Sequence, residues 1–329
     1  MSAASPATTA TVVDGIPIKA RLHIVTGKGG TGKTTAAAAL ALALAETGRK
    51  VLLIEVEGRQ AIAQLFDLPP MPYGEERLSG VGHGGQLFGL AIDAEQAMIE
   101  YLDMFYGLKR SARGLKKMGA VDFVTTLAPG LRDVLLTGKI KESVVRSVDG
   151  RPVYDAVVLD APPTGRITRF LDATQEVAKL TKFGPINSQS EGVIKLLHGK
   201  QTAVHIVTLL EEMPVQETID AAGELKRLGF QLGVVIVNRA RPALITGDVA
   251  LGDSVDEKQL AAELEQAGIS AAHTAALAAE MADYAQRQRV QEENATRLDA
   301  LDMARVELPD LNPPVELGEL KELAACFLR

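Results

Sequence analysis

A run of nine residues near the start of the chain combines the groups that bind phosphate. Residues 27–35 read GKGGTGKTT, an apolar and β-branched stretch at 22–26 precedes them, and an alanine- and leucine-rich stretch without a helix breaker follows to residue 45. Glycines let consecutive backbone N–H groups turn toward one point, and the N-terminus of a helix adds the positive end of its dipole there. The segment therefore predicts a P-loop for a nucleoside triphosphate.

The side chains of this loop divide the work of binding among themselves. We expect Lys33 to reach the β- and γ-phosphates, Thr34 to ligate Mg²⁺ through its hydroxyl, and Thr35 to contact the α-phosphate. Nucleotide binding by the loop as a whole is assigned to Gly27, Gly29, Gly30, Thr31, Gly32, Lys33, Thr34 and Thr35.

A carboxylate stands where a later apolar run ends. The run at 156–160 closes on Asp160, and the turn sequence APPTGR follows at 161–166. P-loop enzymes use a carboxylate at such a strand end to hold the Mg²⁺ shell, so we expect Asp160 to bind the metal through water. The turn beside it suits a switch that responds to the γ-phosphate, although an ordinary strand-to-helix loop would read the same way.

The elements that must position these groups are visible as apolar runs. Seven runs are predicted as strands: 22–26, 51–56, 87–92, 156–160, 203–209, 234–238 and, more weakly, 304–308. Nearly all are continuously apolar and alternate with helical patterns, which is typical of a parallel sheet covered on both faces. We predict a doubly wound, mainly parallel α/β fold of the P-loop NTPase class, with a loop over the proline- and glycine-rich segment 67–85.

Two connections are longer than a crossover between parallel strands requires. Both carry helical apolar patterns, and we predict that about 93–153 and 167–201 form a helical subdomain inserted into one P-loop domain that spans 19–329. Residues 1–18 contain no Lys or Arg and no long apolar core, so they are predicted as a flexible tail and not as a targeting sequence.

Composition excludes several functions. A net charge of −7 and a pI near 5.4 argue against a nucleic-acid partner. The single cysteine, Cys326, excludes an internal disulfide and a zinc site built from two thiolates of one chain. The five histidines follow no metal or nucleophile pattern, so structural roles are expected. No apolar stretch is long enough to span a bilayer, and we predict a cytoplasmic protein that is at most peripheral to the membrane.

Two motifs together resemble one family. GKGGTGKTT, with Lys28 directly after the first glycine, and DAPPTGR at 160–166 are similar to the deviant Walker A P-loop ATPases of the arsenite-pump and tail-anchored-protein-targeting group, above all to its actinobacterial arsenite-pump-like members. The similarity covers nearly all of the chain after the tail and includes PVYDAVVLDAPPTGRITRFLD at 152–172. It implies a dimer that hydrolyses ATP with Mg²⁺, with two nucleotides held between the protomers.

The resemblance also implies roles for single residues. Lys28 would cross the dimer interface to the phosphates of the opposite subunit, and with Lys33 and Asp160 it belongs to the predicted catalytic set. Glu57 completes that set at the position of the family's water-polarising aspartate; because misplacing a water by about 1 Å can cost about a hundredfold, slow hydrolysis is expected. Asn238 would pair with N6 and N7 of adenine, and the sequence after it lacks the aspartate of a guanine site, which favours ATP over GTP.

The client of such a motor is left open. The sequence lacks the cysteine clusters of metalloid binding and the paired cysteines of an intersubunit zinc, so neither is expected. The apolar pattern at 98–106 is equally typical of a groove for a hydrophobic helix and of an internal core. The basic residues within 109–117 suit a solvated helix face, acidic headgroups or a partner.

Three functions agree with these observations. The first is a homodimeric or heterodimeric ATPase whose cycle opens and closes a site for a hydrophobic client or a membrane-protein partner. The second is a positioning ATPase of the septum-site or partition kind, although the acidic residues of 315–329 match a basic membrane-binding helix poorly. The third is a nucleotide-gated, weakly active half of a paralogue pair.

Overall fold

The computed structural model describes residues 20–82, 84–106, 129–180, 185–243, 257–311 and 314–328. The predicted tail at 1–18 and the basic cluster within 109–117 lie outside the described residues.

The described strands are β1 (Leu22–Gly27), β2 (Lys50–Glu55), β3 (Glu76–Gly80), β4 (Gln86–Ala91), β5 (Ser147–Val148), β6 (Arg151–Pro152), β7 (Ala156–Asp160), β8 (Thr202–Thr208), β9 (Leu232–Ala240) and β10 (Ala304–Pro309). Eight of them form one sheet in the order β10-β9-β8-β1-β7-β2-β4-β3, and β5 and β6 form a small hairpin. Neighbours in the large sheet pair in parallel except β3 with β4. The seven predicted strands and the mainly parallel, doubly wound architecture are confirmed.

The predicted loop over 67–85 is wrong for β3, which pairs antiparallel with β4 at the edge of the sheet. Glu76 and Arg77 are exposed on this strand, whereas Leu78 is buried against Gly89, where a Cβ would meet its side chain at 2.7 Å. One buried apolar residue between polar ones gives no strand pattern, so the prolines and glycines around it dominated the prediction.

The described helices are α1 (Lys33–Glu46), α2 (Ala61–Leu65), α3 (Ala94–Tyr106), α4 (Pro129–Val145), α5 (Thr164–Leu180), α6 (Pro185–Leu197), α7 (Glu212–Arg227), α8 (Glu257–Gln266), α9 (Ala271–Asp299) and α10 (Leu317–Ala325). They cover both faces of the sheet: α1 and α10 share one apolar core with it, and α4, α5 and α6 share the other. None of the helices in the described ranges has both the length and the apolarity to cross a bilayer.

Helix α1 is enclosed on every side. Its residues Ala36–Ala45 are all buried, because the helix lies between the sheet and α10. A helix that is apolar all round requires such an environment, and its many alanines let neighbouring backbones approach closely. Since β1 is also buried along its whole length, the loop that joins β1 to α1 is anchored at both ends.

The helices of the two long connections pack on the sheet and on one another. Ile140 of α4, Phe170 of α5 and Leu196 of α6 lie in one core with Ile24 of β1. Met98 of α3 packs against this core, which gives the first half of α3 a core role, whereas the side chains of Leu102, Phe105 and Tyr106 lie outside the described part. The helices share their core with the sheet, and their treatment as a separate subdomain stays a prediction.

Two fully buried histidines connect β1 to β8. His23 Nδ1 lies 3.1 Å from His205 Nε2, His23 Nε2 lies 3.1 Å from the carbonyl oxygen of Ala20, and the Val234 N–H donates to His205 Nδ1 at 3.1 Å. One set of neutral tautomers satisfies all three contacts, with His205 Nε2–H donating to His23 and His23 Nε2–H donating to the carbonyl. Loss of hydration on burial lowers the pKa of His23 to about 4 and that of His205 well below 6.5.

This pair predicts a pH-dependent stability. Because the unfolded chain binds protons at both histidines below pH 6.5 and the folded chain keeps them neutral, the free energy of unfolding should be highest above pH 6.5 and fall as the pH drops toward 4. The part due to His23 alone is roughly 3 kcal/mol. Urea denaturation at a series of pH values measures it. The free energy of unfolding should depend less on pH in His205→Gln than in the wild type. His273→Gln, at an exposed position, is the control and should show the wild-type dependence. A wild-type dependence in His205→Gln would contradict the assignment.

Candidate nucleotide site

The predicted P-loop lies at the carboxyl edge of the sheet. Gly27 ends β1, and Gly32 with a left-handed backbone (φ 85°) precedes the first residue of α1, Lys33. No described side chain caps the N-terminus of α1, so its first amide groups face the loop. An uncapped helix N-terminus framed by glycines can hold an anion through backbone N–H groups.

Two glycines of the loop are required by close contacts. A Cβ at Gly27 would lie 2.3 Å from the carbonyl oxygen of Val207, and a Cβ at Gly32 would lie 2.2 Å from Nδ2 of Asn238. At Gly29 and Gly30 a Cβ would meet nothing within 4 Å, so their surfaces face open space. The backbone of the loop is therefore packed on one side and open on the other.

Asn238 holds the loop in place. Its side-chain Nδ2–H donates to the carbonyl oxygen of Thr31 at 2.9 Å, and the Thr31 hydroxyl donates to the carbonyl oxygen of Lys28 at 2.8 Å. Asn238 is buried, with 8% of its surface exposed. Its predicted contact with adenine stays a prediction, and its donation to the loop is a role that the sequence did not reveal.

A cavity of about 270 Å³ opens beside Asn238. Its walls combine three apolar residues, Leu209, Leu210 and Val290, with a larger number of polar and charged ones, among them Asn238 and Arg241. Such a lining suits a flat heteroaromatic ring. On one side, Arg239 and Arg241 donate to the two carboxylate oxygens of Asp310 at 2.9 and 3.0 Å, and the bond from Arg239 lowers the pKa of Asp310.

Thr34 and Asp160 meet directly. The Thr34 hydroxyl donates to Asp160 Oδ2 at 2.6 Å, and Asp160 Oδ1 is buried with no hydrogen-bond partner among the described residues. Burial raises the pKa of Asp160 to about 6, while the Thr34 hydrogen bond and the charge of Lys33 oppose that rise. Burial also lowers the pKa of Lys33, and the charge of Asp160 opposes it. A hydroxyl oxygen and an unsatisfied carboxylate oxygen form the hard donor set that fits Mg²⁺.

The other predicted residues surround this pair. Glu57 follows β2, and its Oε2 lies 3.4 Å from Nη2 of Arg59. Its charge is near enough to influence the pKa values of both Lys33 and Asp160. Thr35 is partly buried in the first turn of α1. The structure thus brings Lys33, Thr34, Glu57 and Asp160 together at one edge of the sheet.

Lys28 forms a contact within its own chain. Its Nζ donates to Glu217 Oε1 of α7 at 2.6 Å, and Glu217 Oε2 accepts from the Thr164 hydroxyl at 3.4 Å. Lys28 and Glu217 are separated by 189 positions, so no sequence spacing could reveal the pair. The contact joins the P-loop to the first residue of α5 and to α7.

The turn after β7 is tied to its surroundings at both ends. The Thr26 hydroxyl donates to the carbonyl oxygen of Pro162 at 2.7 Å, and Arg166 donates to Asp133 of α4 at 3.3 Å. Burial raises the pKa of Asp133, and the charge of Arg166 opposes that rise. This turn therefore connects the end of β1 to α4.

Glu55 is a residue of this edge that the sequence analysis missed. It ends β2, only 2% of its surface is exposed, and it lies opposite Asp160 in the pairing of β2 with β7. A charged residue at the end of an otherwise apolar strand was the signal that could have found it. In the described ranges, no group of three or more His, Cys, Asp or Glu residues could hold a metal without further ligands.

The contact between Gly32 and Asn238 predicts the effect of a single methyl group. In Gly32→Ala the Cβ would displace the Asn238 amide, and a left-handed backbone at a non-glycine residue costs about 1–3 kcal/mol. We expect binding of ATP with Mg²⁺ to weaken at least tenfold, which is about 1.4 kcal/mol, as measured by calorimetry. Gly223→Ala in α7, where a Cβ meets nothing within 4 Å, is the control. Wild-type affinity in Gly32→Ala would refute the role of this glycine.

Comparisons with known proteins agree with the motifs. Residues 20–200 match the family model described as anion-transporting ATPase. The chain is 56% identical over 310 residues to ATPase BagA of Mycobacterium tuberculosis, a match that covers 92% of this chain and 91% of that protein. It is 24% identical over 274 residues to a protein of Aquifex aeolicus provisionally named arsenical pump-driving ATPase 2, covering 74% of this chain and 88% of that one. It is 30% identical over 189 residues to ATPase GET3 of Podospora anserina, covering 56% and 52%.

The family match spans more than half of the chain, and the mycobacterial match spans nearly all of it. The predicted resemblance and the predicted enzyme class are confirmed. The chain belongs to the anion-transporting ATPase family and is an ATP hydrolase of that family.

Proposed function

We propose that the protein is a Mg²⁺-dependent ATPase that works as a dimer, and that its nucleotide cycle controls a site for a hydrophobic helix or a membrane-protein partner. The contact of Thr34 with Asp160 at the uncapped start of α1 carries the proposal, because it joins an anion site to an oxygen-rich corner for a divalent cation.

Triphosphate binding follows from the loop. The amides of residues 27–35 surround the phosphates, Lys33 offsets the charge of the β- and γ-phosphates, and Thr35 lies beside the α-phosphate. Mg²⁺, when bound, would neutralise charge that builds up on the phosphates during transfer. Thr34 would bind it through the hydroxyl oxygen, and Asp160 would bind a water of its shell.

Hydrolysis requires a positioned water. Glu57 is the proposed residue that orients it, since its carboxylate lies near enough to Lys33 and Asp160 to influence the pKa values of both. The oxygen of water adds to the γ-phosphorus, the bond from that phosphorus to the ADP oxygen breaks, and ADP, inorganic phosphate and a proton of the water are released. Glu57 also lies 3.4 Å from Arg59, whose side chain is 72% exposed, so this ion pair contributes about 1 kcal/mol or less and can open.

Selection of adenine is assigned to the cavity beside Asn238. Leu209, Leu210 and Val290 supply apolar walls for the ring, and the Asn238 amide, while it donates to Thr31, keeps an oxygen that can accept from N6. This arrangement favours ATP over GTP, because adenine has a donor at N6 where guanine has the acceptor O6.

A role for Lys28 across a dimer interface requires that its contact with Glu217 can break. The two side chains are partly buried, with 31% and 37% of their surfaces exposed, so solvent reaches the pair and screens it to a contribution on the order of 1 kcal/mol. Phosphates of a nucleotide on a partner protomer can therefore replace Glu217. A second copy of this chain and a paralogue would both serve as that partner.

The nucleotide state reaches the inserted helices through the turn after β7. Thr164 donates to Glu217, the residue that Lys28 contacts in the same chain, and Arg166 donates to Asp133 of α4. A movement of this turn would therefore act on α4 directly. The client site is proposed on these helices. The match to GET3 covers about half of each chain, which supports a shared ATPase and leaves the client to be identified.

The positioning-ATPase alternative has less support. Leu320, Leu323 and Phe327, in and after α10, are buried against the core that contains α1, so this segment does not offer an apolar face to a membrane. The weakly active half of a pair rests on Glu57, a glutamate at the position of the family's water-polarising aspartate.

The proposed role of Lys28 separates binding from assembly. In Lys28→Ala, ATP affinity should change by less than about tenfold, because Lys33 and the loop amides remain, whereas ATP-dependent dimerisation should be lost. Lys33→Ala should lose binding itself. Calorimetry and sedimentation with ATP or ADP distinguish the two, and the exposed Lys226→Ala is the matched control. Normal ATP-dependent dimers of Lys28→Ala would exclude a role in the interface.

The proposed role of Glu57 concerns the rate and not the affinity. Glu57→Gln keeps the size of the side chain and removes its charge, so turnover should fall about a hundredfold while ATP binding stays within a few-fold of wild type. Phosphate release gives the rate and calorimetry gives the affinity. Glu265→Gln, at an exposed position of α8, should behave as wild type. A parental rate in Glu57→Gln would remove Glu57 from catalysis.

A further inference from the structure

A second buried carboxylate lies next to Asp160. Glu55 ends β2 and is directly opposite Asp160, which ends β7. Parallel neighbours at the same register point to the same face of a sheet and are separated by about 5 Å. That face is the one covered by α1, since Leu53 and Val158, two positions earlier on each strand, share the core that contains α1. Glu55 and Asp160 thus project together toward the first turn of α1.

The hydrogen bonds of Glu55 leave one oxygen unsatisfied. Oε2 accepts from the Ile62 N–H at 3.2 Å, whereas Oε1 is buried and has no partner in the described part of the chain. Asp160 Oδ1 is in the same situation. A buried carboxylate oxygen that accepts no hydrogen bond is unfavourable, because it has lost its water without a replacement. Two such oxygens on adjacent strands therefore require an explanation.

A purely structural role explains only half of the geometry. The Ile62 N–H belongs to the first turn of α2, and a single acceptor oxygen is enough to satisfy it. A neutral amide side chain would do the same without placing a second negative charge beside Asp160. That charge is felt, because Glu55 contributes to the raised pKa of Asp160. The capping of α2 accounts for Oε2 and leaves Oε1 without a function.

A hydrated divalent cation would satisfy both oxygens. Each carboxylate oxygen accepts a hydrogen bond from metal-bound water, and the charge of the cation removes the repulsion between the two groups. The Thr34 hydroxyl, which contacts Asp160 Oδ2, lies at the same corner. We propose that Glu55 is a positioning residue of the Mg²⁺ site, whose Oε1 accepts from a water of the metal shell beside Asp160. This inference rests on the proposed function of the site.

The test is the affinity of the site for a divalent cation, measured without turnover. Mn²⁺ is titrated into protein saturated with ADP, and free Mn²⁺ is followed by electron paramagnetic resonance. Glu55→Gln keeps an oxygen for Ile62 and removes the charge. Its Kd for Mn²⁺ should rise about tenfold, the range found when outer-shell partners of a metal are removed. Its affinity for ADP in EDTA should remain at the wild-type value.

The stability of the metal-free protein gives a second readout. Removing a repelling buried charge should leave the free energy of unfolding in EDTA unchanged or raised. Glu265→Gln is the matched control for the loss of one negative charge, and it should keep the wild-type Kd for Mn²⁺. If circular dichroism shows that Glu55→Gln does not fold, Glu55→Ser carries the same titration.

The outcomes separate this inference from the proposed function. A wild-type protein that binds no Mn²⁺ with ADP overturns both. A wild-type protein that binds Mn²⁺, together with a Glu55 variant of unchanged Kd, overturns this inference alone and leaves Glu55 as the acceptor for Ile62. A Kd that rises in Glu55→Gln and not in Glu265→Gln supports it.

Discussion

The site depends on the burial of α1 on all sides. A helix can present its first amides to a ligand only if its axis does not move relative to the strand before it, and here both β1 and Ala36–Ala45 are enclosed. Alanine makes this possible because it lets the sheet and α10 approach the backbone closely. The side of the loop toward Val207 and Asn238 is then fixed by contact, and its other side is free for a ligand.

Charge is concentrated where the parallel strands end. Glu57 and Asp160, at or just after the ends of β2 and β7, are close enough to influence the pKa of Lys33, and Glu55 is close enough to influence that of Asp160. Burial raises the pKa of Asp160 and lowers that of Lys33, so it opposes the charge of both groups. In a medium of low polarity, such groups interact more strongly than they would in water. Burial makes the unpaired carboxylates unfavourable when no cation is bound. For the same reason, it favours the binding of a cation together with the polyanionic nucleotide. The surface pair of Lys28 and Glu217, in contrast, is exposed enough to exchange partners.

The sequence alone was sufficient to predict those elements whose signal lies in neighbouring residues. The P-loop, the strands and the first helix follow from runs of neighbouring residues, and the structure confirms those elements. It was not sufficient for features that depend on contacts between residues far apart in the sequence. Leu78 is the only apolar side chain in the sequence of β3, Glu55 was read as part of an apolar run, and Glu217 lies 189 positions from Lys28. The amide of Asn238 was predicted for a base, and its donation to Thr31 could be seen only in three dimensions.

The two edge strands carry a consequence for how copies of this protein meet. Glu76 and Arg77 are exposed on β3, and Arg305 and Glu307 are exposed on β10, so both open margins of the sheet carry charged side chains. Charged residues on such margins oppose the joining of sheets from separate molecules into a continuous ribbon. Self-association by strand addition, the usual route to fibrous aggregates, is thereby discouraged.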